Sequence, residues 1–185
     1  FRRSIAPGDV LVGTVGRLAA EKRIDWLGPL SAMDGVSVVV VGDGPRRAAL
    51  EAEMPDAHFL GFRSGGALAT ALASLDVFVH AGADETFCQA IQEALAAGVP
   101  VVAPAQGGPL DLVSHGEPGY LHPAEDPVAL RCAVDELVRD PVRRQRFGQR
   151  AHESVRHNTW TAIGDDLLAH YASVTSTAVP HTLVA

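Results

Sequence analysis

Two short stretches carry the residue types for chemistry on a charged, hydroxyl-rich ligand. Glu85-Thr86-Phe87-Cys88-Gln89-Ala90-Ile91-Gln92-Glu93 sets two carboxylates eight positions apart around the start of an expected helix. Gly16-Arg17-Leu18-Ala19-Ala20-Glu21-Lys22 sets an arginine and a lysine just beyond an expected strand. Carboxylates accept hydrogen bonds from hydroxyls, and a guanidinium fork and an ammonium neutralise phosphates. Together they supply what a nucleotide-sugar site needs. If the helix begins at Thr86, the backbone N–H groups of Thr86, Phe87, Cys88 and Gln89 are unpaired and favour an anion. A continuous helix would set Glu93 roughly 12 Å along the axis from Glu85, about the span from a sugar to a ribose across a diphosphate. On spacing alone, a helix with an acidic start and a solvated basic loop pairing with Glu21 and Asp25 explain the same residues.

Other candidates are weaker. Gly42-Asp43-Gly44 resembles a dinucleotide-binding turn, but Arg47 stands three positions on, where that fingerprint has a small residue, so a tight turn is the simpler reading. Gly107-Gly108 suits either close ligand approach or a turn. His80 closes an expected strand, and as a lone histidine it reads first as a structural hydrogen-bonding group. Cys88 reads as a small buried residue lining the site rather than a reactive thiol. Cys88 and Cys132 are the two cysteines, and no Cys-x-x-Cys or Cys/His ligand spacing occurs, so neither a disulfide framework nor a zinc site is expected.

These residues need elements to position them, and the chain alternates short β-rich runs with helical stretches. Strands are expected at Val10–Val15, Val36–Val41, Ala57–Leu60, Leu75–His80, Val99–Ala103 and Gly119–His122. Helices are expected at Arg23–Met33, which Pro29 should bend, and at Arg46–Met54, with Pro45 in its first turn. Others follow at Gly66–Ser74, Thr86–Ala97, Pro109–Val113, Pro127–Arg139, Pro141–Val155 and Trp160–Val174, with a loose tail from Thr175. Gly98 should cap the fourth of these helices. The near-unbroken valine run of Val36–Val41 is what a strand buried on both faces requires. Alternation of this kind gives right-handed crossovers and an α/β, Rossmann-like doubly wound parallel β-sheet with C-terminal helices. Ligands of such sheets sit beyond the carboxyl ends of the strands. Arg17, Gly42, Gly61, His80, Glu85 and Gln106–Gly108 all fall there.

Composition bounds the rest. The 185 residues suit one domain, are 47% apolar and 5% aromatic, and carry a net charge of −7. That charge, without a basic stretch, argues against nucleic acid as a partner. No apolar run reaches the ~18 residues of a membrane span. A reduced, cytoplasmic setting fits the cysteine usage. The start at Phe1-Arg2-Arg3, without methionine, reads as a piece of a longer protein.

Taken together, the chain resembles the C-terminal, donor-binding half of a family 4 retaining glycosyltransferase of the GT-B architecture. The resemblance runs over about residues 10–175 and leaves 176–185 as tail. It is carried by Gly16-Arg17-Leu18 with Lys22, Val41-Gly42-Asp43-Gly44-Pro45, Phe59-Leu60-Gly61, Asp76-Val77-Phe78-Val79, Glu85-x-Phe87 with Glu93-Ala94, Gly98-Val99-Pro100-Val101-Val102-Ala103 and Gly107-Gly108. Glu85-Thr86-Phe87-Cys88-Gln89 with Gly108-Pro109-Leu110-Asp111-Leu112-Val113 is similar to the actinobacterial GDP-mannose-dependent α-mannosyltransferases that work on lipid acceptors.

The resemblance implies roles. Arg17 and Lys22 hold the diphosphate and stabilise the charge on the leaving nucleotide, with no metal required. Glu85 binds sugar hydroxyls. Phe87, Cys88 and Gln89 meet sugar and phosphates through backbone N–H groups, Glu93 holds the ribose, Leu60, Gly61 and Phe62 meet the base, and Gly16 admits the phosphates. His80, Gly107 and Gly108 complete the expected donor site. The resemblance also implies no cofactor beyond the donor (GDP-mannose, with a UDP-sugar as the alternative), a missing N-terminal acceptor domain towards which the helix from Trp160 packs, and contact of the full protein with the inner face of the membrane. Two departures stand out: many family members carry glycine where Cys88 stands, and Pro-Ser where His80-Ala81-Gly82 follows its strand. A GT-B epimerase or phosphorylase, a noncatalytic nucleotide-binding module and a Rossmann dehydrogenase are the rival readings.

Overall fold

A computed structural model describes residues 5–176. The described residues divide into two compact units, 5–155 and 156–176. The first holds a six-stranded sheet: β1 (Val10–Val15), β2 (Val36–Val41), β3 (His58–Gly61), β4 (Val77–Val79), β5 (Val101–Pro104) and β6 (Gly119–His122). Every neighbouring pair is parallel, and the spatial order is β3-β2-β1-β4-β5-β6. Successive strands step outward from β1 in one direction, then from β4 in the other. The switch point therefore lies between β1 and β4, and there the loops that follow the two strands diverge and leave a crevice.

The alternation of strand side chains builds a core on each face. Val12, Val38, Val40, Val77, Val79 and Val102 point to one side. There they meet Ile24, Leu27, Leu30 and Leu50, together with Leu130, Val134 and Leu137 of the helix Pro127–Arg139. Leu11, Val39, Val41, Phe78, Val101 and Ala103 point to the other. Leu72 of the helix Gly65–Ala73 and Ile91 and Leu95 of the helix Gln89–Ala96 cover them. This sheet and its covering layers are the Rossmann-like doubly wound class that the sequence pattern implies. The remaining helices are Arg47–Glu53, Pro109–Leu112 and Pro141–Val155, so the α-helices run α1 (Arg47–Glu53), α2 (Gly65–Ala73), α3 (Gln89–Ala96), α4 (Pro109–Leu112), α5 (Pro127–Arg139) and α6 (Pro141–Val155). Asp126 caps α5, its carboxylate accepting from the Val128 and Ala129 N–H groups at 3.0 and 2.9 Å.

The third, fourth and fifth strands sit one or two residues from their expected bounds, and the structure corrects further expectations. The helix expected over Arg23–Met33 is a 3₁₀ stretch, Ile24–Ala32, preceded by a shorter one at Ala20–Lys22. Pro29 lacks the N–H that an α-helical ladder needs there, and Arg23 between the two stretches is left-handed at φ 49°. Pro45 precedes the Arg46 cap of α1 instead of lying in its first turn. The helix expected from Thr86 begins only at Gln89, because Cys88 is itself left-handed (φ 50°, ψ 50°). The last helix runs past Thr175 to Ser176. Gly98, at φ +72°, does end α3 as expected. The second unit consists, as far as it is described, of that last helix, α7 (Trp160–Ser176), whose Trp160, Leu167, Leu168, Tyr171 and Val174 are exposed. The tail beyond Ser176 lies outside the described residues. Among the described residues, no helix is long and apolar enough to cross a membrane.

Candidate functional site

At the carboxyl ends of β1 and β4, the switch point opens into a pocket of about 310 Å³. Gly16 and Arg17 line it from the loop after β1, with Lys22 from the first 3₁₀ turn. His80 and Glu85 come from the loop after β4, with Cys88 and Gln89 from the start of α3. Seven of the sequence-predicted site residues thus meet in one place, although residues 17–22 and 80–89 are far apart in the chain.

Glycines make the approach of these loops feasible. A Cβ on Gly82 would lie 2.9 Å from the Glu21 carbonyl oxygen, so only glycine lets the β4 loop settle on the first 3₁₀ turn. That contact brings the Lys22 Nζ onto Glu85 Oε1 as an ion pair across 63 positions of chain. The pair replaces the partners Glu21 and Asp25 that spacing suggested for Lys22. Gly107 and Gly108 act on the far end of the same loop: a Cβ on either would lie 2.5 and 2.4 Å from the carbonyl oxygens of Glu85 and Thr86. The Gly108 N–H donates to the Glu85 carbonyl at 2.9 Å. Neither glycine lines the pocket; their visible work is to seat the loop that does. Gly42 and Gly44 likewise press on the β1 loop, where a Cβ would lie 1.9 Å from the Gly16 oxygen and 2.5 Å from the Leu18 oxygen. Their motif is a packing turn. At Gly16, in contrast, an added Cβ meets nothing within 4 Å, so its open side is free for a ligand.

The electrostatics are mixed. Arg17 is largely exposed at the mouth, and its Nη2 donates to Glu21 Oε1 at 2.5 Å. A backbone N–H first, and the Arg17 guanidinium second, hold the Glu21 carboxyl below its ordinary value. His80 is only 7% exposed, and its Nε2 has no hydrogen-bond partner. It lies 3.8 Å from Glu85 Oε1. Burial, with the Lys22 charge second, pulls the imidazole down to about 4, so it is neutral at physiological pH. Cys88 is 4% exposed, and burial pushes its thiol up. A ring nitrogen of His80, a carboxylate oxygen of Glu85 and Cys88 Sγ present ligand atoms within 4.8 Å of one another. This mixed set escapes a search for Cys/His spacings.

The expected helix start also changes. Thr86 and Phe87 stand outside α3, so the N–H groups at its first turn begin with Gln89, and no unbroken helix measures the distance from Glu85 to Glu93. Phe87 is exposed, its carbonyl accepting from Gln92 Nε2 at 3.0 Å. Glu93 accepts from Gln89 Nε2 at 3.0 Å and lines a separate hollow of about 470 Å³ between α2 and α3. A third hollow, about 410 Å³, joins the two. It shares Gly16 and Arg17 with the pocket and Leu68 with the Glu93 hollow, and Asp43, Phe62 and Arg63 flank it. Leu60, Gly61 and Phe87 line none of the three. Glu21, Arg63 and Leu68 were not among the candidates, and Asp43 was named only within the turn Gly42-Asp43-Gly44; Glu21 and Arg63 adjoin the candidates Lys22 and Phe62, and that adjacency was the available signal. A larger hollow, about 660 Å³, sits against Asp76, Gly98 and Arg144 at the amino ends of the strands, away from the switch point.

The model of the family "Glycosyl transferases group 1" matches residues 1–154. The chain is 49% identical over 176 residues to a GDP-mannose-dependent alpha-mannosyltransferase of Mycobacterium tuberculosis, covering 94% of this chain and 46% of that protein. It is 47% identical over 164 residues to the protein of that name from Corynebacterium glutamicum, covering 89% and 40%. The chain thus spans less than half the length of these relatives. Among solved structures, the sucrose-phosphate synthase of Thermosynechococcus elongatus superposes with a TM-score of 0.83 at 26% identity, covering 96% of this chain and 49% of that one. Anabaena Alr3699/HepE in complex with UDP superposes with a TM-score of 0.81 at 23% identity, covering 90% and 49%, a likeness of fold.

Proposed function

The chain belongs to the group 1 glycosyl transferases, and from that premise we propose that it is the donor half of a retaining GT-B hexosyltransferase. The donor is a nucleoside diphosphate sugar, GDP-mannose, and the acceptor is a hydroxyl on a lipid or glycolipid. The relatives named GDP-mannose-dependent mannosyltransferases support this choice of donor. The observation that carries the reading is the Lys22–Glu85 pair beside Arg17 and the open side of Gly16, at the switch point of the sheet.

With no ligand, each cation sits on a carboxylate: Lys22 on Glu85 and Arg17 on Glu21. A diphosphate entering beside Gly16 draws both cations onto its oxygens. Glu85 is then released to accept from the sugar hydroxyls. The bond that breaks joins the anomeric carbon to the phosphate oxygen, and negative charge grows on the departing diphosphate. Arg17 and Lys22 stabilise that charge, and the amino end of α3 adds the field of its unpaired N–H groups. The new bond forms from the acceptor oxygen to the anomeric carbon on the same face, and the acceptor proton leaves with the diphosphate. From this pocket the nucleoside extends through the adjoining hollows. The base lies beside Phe62 and Leu68, and the ribose lies towards Glu93.

Acceptor binding belongs to the other half of the protein, so the chain alone binds donor and transfers nothing. The same reading places the protein in the cytoplasm, meeting the inner face of the membrane where its acceptor is a lipid. Calorimetric titration with GDP, GDP-mannose, UDP and UDP-glucose tests the donor. Selective guanine-nucleotide binding that Arg17→Ala abolishes is the expected result. Preference for the uracil ligands overturns the donor assignment, and binding unaffected by Arg17→Ala overturns the phosphate role.

A further inference from the structure

The His80, Glu85 and Cys88 constellation contains a buried nitrogen with no partner. A satisfied structural histidine would donate or accept at both ring nitrogens, yet His80 Nε2 is shielded from water and faces Glu85 Oε1 across 3.8 Å without bonding it. Left without a partner, this nitrogen is available to a Lewis acid. Cys88 presents its sulfur to the same space because its left-handed backbone ends the loop there.

We propose that His80 Nε2, Glu85 and Cys88 Sγ form a binding site for a thiophilic divalent cation of the zinc class, and that this cation and Lys22 occupy Glu85 in competition. Nitrogen, sulfur and carboxylate oxygen are the three ligand types zinc takes. Zinc bonds of about 2.0–2.3 Å set tetrahedral ligand atoms roughly 3.3–3.8 Å apart. The 3.8 Å between His80 and Glu85 already meets that spacing, and the whole set lies within 4.8 Å. Charge balances as well. Binding expels the thiol proton of Cys88, so thiolate and carboxylate together neutralise the dication. The ammonium of Lys22, now on Glu85, must swing away, since it would otherwise face a dication over the same oxygen. A fourth position stays open to water, as three protein ligands leave it.

The metal here is an occupant of the pocket and not a participant in transfer. Only its competition with donor rests on the donor reading, because both would draw on Glu85. Glycine at position 88 removes the thiolate ligand, so relatives with glycine there lack the full set.

The test uses the chain carrying Cys132→Ser, which removes the exposed thiol. Cadmium is titrated at neutral pH without nucleotide and followed by thiolate-to-metal absorption; zinc is titrated by calorimetry. One equivalent of cadmium should produce the absorption, and Cys88→Ala should abolish it. His80→Gln should weaken zinc about 100-fold, and Lys22→Met should tighten it about tenfold. A cadmium signal that is absent, or that persists in Cys88→Ala, overturns the site, as does undiminished zinc affinity in the independent His80→Gln variant. Unchanged zinc affinity in Lys22→Met overturns the competition. GDP-mannose titrated with and without zinc separates the two readings. Equal donor affinity in both overturns the coupling. No donor binding even without zinc counts against the donor assignment alone, while the cadmium result still decides the metal site.

Discussion

At the scale of single residues, His80 offers the sharpest consequence for pH. Its folded-state pKa, about 4, lies below the ordinary value of 6.5, chiefly through burial. Lys22, Glu85 and Cys88 face it across the pocket, and His122, also lowered by burial, adds a weak repulsion. Above pH 6.5 folded and unfolded chains both hold His80 neutral, and stability does not depend on it. As pH falls from 6.5 towards 4, the unfolded chain takes up a proton that the folded chain refuses. Stability then drops, by at most about 1.4 kcal/mol per pH unit. Urea titrations at pH 7 and pH 5 should show that loss, and His80→Gln should recover part of it. An equal loss in the variant would place the acid sensitivity elsewhere, His122 being the next group to test.

At the scale of elements, the loops that build the pocket are positioned by close backbone contacts, and two glycines separate binding from stability. Gly108→Ala forces a Cβ to within 2.4 Å of the Thr86 oxygen, so the Glu85–Cys88 loop must move. The expected result is a lower melting temperature together with about a tenfold loss of donor affinity. Gly16→Ala meets nothing within 4 Å, so its methyl enters only the open space that the proposed diphosphate would take. Donor affinity should fall while the melting temperature holds. Thermal melts and calorimetry on both variants check this, and a destabilised Gly16→Ala would show the space at Gly16 to be structural.

Much of this frame was legible in the chain. Val36–Val41, Gly119–His122, Pro127–Arg139 and Pro141–Val155 were legible to the residue, because valine runs, helical periodicity and N1 prolines are local signals. The start of α3 was not, because it depends on a left-handed cysteine, a conformation its side chain gives no reason to expect. The partner of Lys22 was equally hidden. An ion pair between positions 22 and 85 follows from β1 and β4 being neighbours and from Gly82 having no Cβ, neither of which spacing encodes. The unpartnered nitrogen of His80 is a fact of burial, invisible to motif reading.

At the scale of the whole molecule, the chain spans 46% of its Mycobacterium tuberculosis relative, and α7 presents apolar side chains at Trp160, Ile163, Leu167, Tyr171 and Val174. These recur at helical spacing, and on the proposed reading as a donor half they would meet the N-terminal half of the longer protein. Radiolabelled mannose transfer should be absent with the chain alone and appear when that half is supplied. Leu167→Asp should cut the rescue by about tenfold while leaving donor binding intact, and rescue at full strength would remove α7 from the interface. The order of the strands has a last consequence, which concerns time. β1 pairs with β2 at Val10↔Val36, but its other edge waits for β4 at Val12↔Val77. A ribosome adding ~5–20 residues per second therefore leaves β1, β2 and β3 with a bare, valine-rich flank for about one to four seconds before β4 is made. The pocket lies on that late seam and cannot exist before it closes. On the proposed donor reading, nucleotide binding then becomes a sentinel of completed folding, and donor would draw the newly made chain towards the closed sheet by mass action.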